Sequence, residues 1–87
     1  MIPIALHDQV PPETTQALFE YRLRGAGSRA TLRAQIHRTA GDTFPVVLVG
    51  GTGRFMIEFR EPQRLYFTAE DRSLVLTLTC LAFNKTA

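Results

Sequence analysis

The chain has 87 residues, 45% of them hydrophobic and 21% charged, with a formal net charge of +2. That length makes one domain, residues 1–87, and a chain this short buries only about two-thirds of its unfolded surface; the composition excludes a disordered tail and a membrane protein. The single cysteine, Cys80, excludes an intrachain disulfide and a cysteine-based zinc site, and no metal or cofactor is expected.

The apolar start, residues 1–6, stops at His7-Asp8, too soon for a secretory leader. No stretch reaches the roughly 20 apolar residues that span a bilayer, so a cytoplasmic protein with no membrane partner is expected. Pro11 and Pro12 cannot donate to a ladder, so any strand at residues 2–6 is an edge strand that ends before them, a strap rather than a core element. Residues 15–24 fit two readings. As a strand, Ala17, Phe19, Tyr21 and Leu23 face one way and Gln16, Glu20, Arg22 and Arg24 the other. As a helix, Ala17, Leu18 and Tyr21 share a face that Phe19 and Leu23 leave. The period favours the strand. The alternative is an α+β fold with one helix at about 13–24 on a five-stranded antiparallel sheet.

Further on, the alternation is clearer. Ala30, Leu32, Ala34 and Ile36 alternate with Arg29, Thr31, Arg33, Gln35 and His37, and a loop covers 39–43. Val46, Val47, Leu48 and Val49 then run into Gly50-Gly51-Thr52-Gly53, and Phe55, Ile57 and Phe59 alternate with Arg54, Met56 and Glu58. A hairpin is predicted here, with Gly51-Thr52 as a type II′ turn and positive φ at Gly51. Glu61-Pro62-Gln63 makes a tight turn into Leu65, Phe67 and Ala69, alternating with Arg64, Tyr66 and Thr68. After a turn at 70–73, Leu74, Leu76, Leu78, Cys80 and Ala82 point inward and Val75, Thr77, Thr79, Leu81 and Phe83 outward.

Directly opposed residues in a hairpin share a face. Leu48 then faces Phe55, Phe59 faces Leu65, Ala69 faces Leu74, Ile36 meets Val46, Ala34 meets Leu48 and Leu23 meets Ala30. Every apolar set falls on one side, so the predicted fold is all-β: a small antiparallel meander of five to seven strands, barrel-like or made a sandwich by dimerisation.

The outer side of that sheet carries the candidate function. Val47, Val49 and Met56 in its middle, with Val75, Leu81 and Phe83 on the last strand, form an apolar set of the kind that marks an interface, and a homodimer is expected. Nine of the ten basic residues are arginine. Arg22, Arg24, Arg29 and Arg33 share the outer side of the first hairpin, and Arg54, Arg60 and Arg64, with Tyr66, that of the later strands. Such a face suits an acidic partner or a nucleic-acid backbone. His7 and His37 lack a patterned carboxylate set, and His37 is expected in solvent at a strand end. The glycine run is no phosphate loop, because a strand follows it where a helix N-terminus is required. The expected function is a non-catalytic binding or interaction module, a homodimer. The alternatives are RNA or single-stranded DNA binding through the arginine-rich face, and a small barrel enzyme or carrier with an apolar cavity.

Overall fold

A computed structural model describes residues 1–25, 32–69 and 73–85. It contains seven strands: β1 (Ile2–Ala5), β2 (Thr14–Arg24), β3 (Arg33–His37), β4 (Val46–Val49), β5 (Thr52–Glu58), β6 (Arg64–Ala69) and β7 (Val75–Lys85). Residues 14–24 are a strand, so period prevailed over propensity and the α+β alternative is set aside. Among the described residues no helix is long and apolar enough to cross a membrane. The expected contact of Leu23 with Ala30, and most of the turn at 70–73, lie outside the described residues.

The strands form two antiparallel sheets, ordered β1-β6-β3-β4 and β5-β2-β7. Among the described residues only β3 and β4 pair as sequence neighbours, with the expected Ala34↔Leu48 and Ile36↔Val46. Elsewhere the neighbour-to-neighbour meander gives way. Strand β2 lies between β5 and β7, and β6 between β1 and β3.

The reason is visible at Gly50-Gly51. Gly50 has the positive φ, +78°, where Gly51 was expected to have it. Its N–H donates to the Leu32 carbonyl on the β3 side, while the Gly51 carbonyl accepts from Leu23 on the β2 side. These glycines carry the chain across a corner from one sheet to the other instead of reversing it within one. At Pro62-Gln63 the turn does form, with φ of 54° at Gln63 and a Glu61↔Arg64 bridge, but the strands beyond it enter different sheets.

Both sheets close over one core, and the inward sets anticipated from alternation fill it. Ala17, Phe19, Tyr21, Leu23, Ala34, Ile36, Leu48, Phe55, Ile57, Leu65 and Phe67 are all buried, with Leu76, Leu78 and Cys80 partly so. The Phe19 ring stacks on Phe55 at 5.7 Å and meets Phe59 edge-on at 6.3 Å. The sandwich is thus completed within one chain. β1 is the expected edge strand, ending ahead of the prolines, but the strap after it also enters the core through Leu6 and Val10. Gln63 fastens it, accepting from Leu6 N–H at 2.9 Å and donating its side-chain amide to the Val10 carbonyl at 2.8 Å.

Candidate functional site

Two sheets have two outer faces, and the predicted site residues divide between them. Register places Arg22, Arg24 and Arg54 on the outer face of β5-β2-β7, in the rows Thr52–Arg22–Thr77 and Arg54–Glu20–Thr79, with Arg24 opposite Val75. Arg33, Arg64 and Tyr66 lie on the outer face of the other sheet, Arg33 opposite Val49 and Tyr66 between Pro3 and His37. Arg60 follows β5 in the turn beside Phe59. Arg29 is outside the described residues. No single face brings the seven described residues together, and the aromatic is separated from Arg22, Arg24 and Arg54.

The apolar set is likewise divided. β4 and β5 are edge strands of different sheets, so Val47 and Val49 stand on one outer face and Met56, in a row with Leu18 and Ala82, on the other. Along β7 the register slips between Leu18↔Ala82 and Phe19↔Cys80, which leaves Leu81 as an extra residue. Such a bulge reverses the alternation beyond it. Phe83, expected outward, is therefore registered with buried Ala17, and Ala82, expected inward, with Leu18. Leu81 and Phe83 remain 44% and 41% exposed at the free edge of the sheet.

That edge carries a feature the sequence did not announce. The Gln9 side chain, from the strap, donates Nε2–H to the Leu78 carbonyl at 3.0 Å and accepts the Cys80 N–H at 2.6 Å. It occupies the place of one step of a neighbouring strand at the middle of β7. Nothing in the pattern around a lone glutamine signals this, because the contact spans about 70 residues. Cys80 itself is half-buried, and burial pushes its thiol pKa up.

His37 corrects its expectation. It is 7% exposed, its Nε2 lies 2.9 Å from the Thr68 hydroxyl, and its Nδ1 lies 3.4 Å from the Asp42 carbonyl oxygen of the loop that folds back over it. The Asp42 carboxylate organises that loop by accepting from the Arg38 and Phe44 backbone N–H groups, at 2.9 and 3.0 Å, and from Arg38 Nε at 3.0 Å. The two backbone donors foremost, with the Arg38 guanidinium, hold its pKa down to about 2. The loop presents Phe44, 79% exposed and not singled out by alternation because it lies outside any strand. Among the described residues no three His, Cys, Asp or Glu side chains gather where a metal would sit. No family model, curated protein or solved structure matches the chain.

Proposed function

We propose that this protein is a non-catalytic interaction module that pairs with a second copy of itself through residues 81–85 of β7. The observation that carries this reading is the asymmetry among the four edge strands. Sheet edges are ordinarily kept short, charged or interrupted by proline. β1 has four residues and contains Pro3, β4 has four, and β5 has seven with Arg54 and Glu58 along it. β7 has eleven residues and a single charge, Lys85, which lies 3.6 Å from Glu13 of its own chain. Gln9 closes the middle of this edge and leaves the segment with Leu81 and Phe83 uncovered.

An antiparallel two-fold at Phe83 sets that ring against its own copy and Lys85 against Leu81, so no like charges oppose, and the two three-stranded sheets continue as one of six strands. A core this small gains stability from such pairing. A lone thiol suits a reducing compartment, and a cytoplasmic setting belongs to the same reading.

Light scattering at micromolar concentration is expected to give twice the 9.8 kDa chain mass. Phe83→Glu is expected to return it to one chain by placing two carboxylates at the symmetry axis, whereas Val49→Glu, on the other sheet, leaves the dimer intact. A wild-type protein that stays monomeric at high concentration, or one dissociated equally by both variants, refutes this arrangement.

A further inference from the structure

We infer that the outer face of β5-β2-β7 is a phosphate-binding site centred on Arg22. A groove of about 380 Å³ there is lined by Arg22, Arg24, Thr52 and Thr77, with Glu20, Tyr21 and Thr79 among the rest of its lining. Its central row sets Arg22 on β2 between two hydroxyl residues, Thr52 on β5 and Thr77 on β7. Strands are spaced about 4.8 Å apart, so the two threonine backbones stand about 9.6 Å from each other, and a tetrahedral oxyanion seated over Arg22 has a hydroxyl donor on either flank. Arg24, two residues along the same face, is about 6.8 Å further up the strand and supplies a second positive charge.

The electrostatics are one-sided where it matters. Among the described residues Glu20 is the one carboxylate lining the groove, and its Oε2 lies 3.5 Å from Nε of Arg54, its partner in the same row. Arg22 and Arg24 have no ion-pair or hydrogen-bond partner among the described residues, and β7 contributes no carboxylate to its flank. Planar guanidinium donors matched to oxyanion geometry, with hydroxyl donors beside them, select a phosphate over chloride. Tyr66 lies on the opposite face of the sandwich, and Tyr21, which also borders the groove, is 7% exposed with its ring turned over Gly53, so the groove takes the phosphate group without an exposed ring on which a base stacks. The site is separate from the edge proposed for self-association, and each stands without the other.

The test follows backbone amide NMR shifts during titration with inorganic phosphate against chloride at matched ionic strength, and in parallel with an oligothymidylate. Saturable shifts at Arg22, Thr52 and Thr77 are expected, weakened at least about tenfold in Arg22→Gln and unchanged in Arg60→Gln. If the oligonucleotide moves the same amides at far lower concentration, with affinity falling as salt rises, the phosphate belongs to a nucleic-acid strand. If it binds no tighter than inorganic phosphate, the site serves a free phosphate or phosphomonoester. Absence of saturable shifts with both probes, or shifts that persist in Arg22→Gln, overturns the inference.

Discussion

Tyr21 and Gly53 face each other across β2 and β5, and the tyrosine lies so close over the glycine that a Cβ there would stand 2.5 Å from its hydroxyl oxygen and 2.7 Å from ring carbons. The ring is buried, and its hydroxyl donates to the Val49 carbonyl at 2.8 Å, tying one sheet to the edge of the other. The third glycine of the run therefore serves packing rather than the turn. Gly53→Ala is expected to displace the ring and cost about 2 to 3 kcal/mol in urea denaturation, against about 1 kcal/mol for Tyr21→Phe, which loses only the hydrogen bond. Equal small effects would show that the ring does not cross the glycine. Asp42 gives a pH-dependent counterpart. Its folded pKa of about 2 lies below the ordinary 3.8, so its contribution is present above the ordinary value and is lost as pH falls through the folded one. Asp42→Asn is expected to cost about 1 to 2 kcal/mol near neutrality, with the gap to wild type closing as unfolding is measured from about pH 4 down to about pH 2. A gap that stays constant over that range would place the effect in something other than the carboxylate charge.

At the scale of elements, β7 shows how far alternation can be read. Its first half follows the period and its face assignments stand, from Val75 through Cys80. Beyond Leu81 they reverse, because one inserted residue leaves composition untouched while flipping every later side chain. The Gln9 cap is the same kind of hidden fact, a contact made by position and not by pattern. Replacing it tests its role: Gln9→Ala leaves the Leu78 carbonyl and Cys80 N–H without their partners and uncovers the middle of the longest edge in the molecule. The expected outcome is a loss of about 1 to 3 kcal/mol, faster hydrogen exchange at Cys80, and association into species larger than a dimer on light scattering. Unchanged exchange at Cys80 would remove Gln9 from this role.

For the whole molecule, the inner face was legible and the outer face was not, for one physical reason. Burial selects every second residue of a strand whichever strand lies beside it, so Phe19, Ile36, Leu48 and Leu65 declare themselves without any knowledge of pairing. Outward residues have no such constraint. A single meander makes one surface of Val49, Met56, Arg22 and Arg64, whereas the corner at Gly50-Gly51 distributes them over two faces pointing apart. The strand order has one more consequence, which concerns how the chain is made. β2 is synthesised early, yet its partners are the fifth and seventh strands, and β1 waits for the sixth. Only the β3–β4 hairpin can form from neighbours as they leave the ribosome. The nascent chain holds its longest early strand unpaired until β5 has emerged, and one edge of that strand stays open until β7 follows at the end, so an incomplete chain leaves β2 as an open template for any other strand nearby.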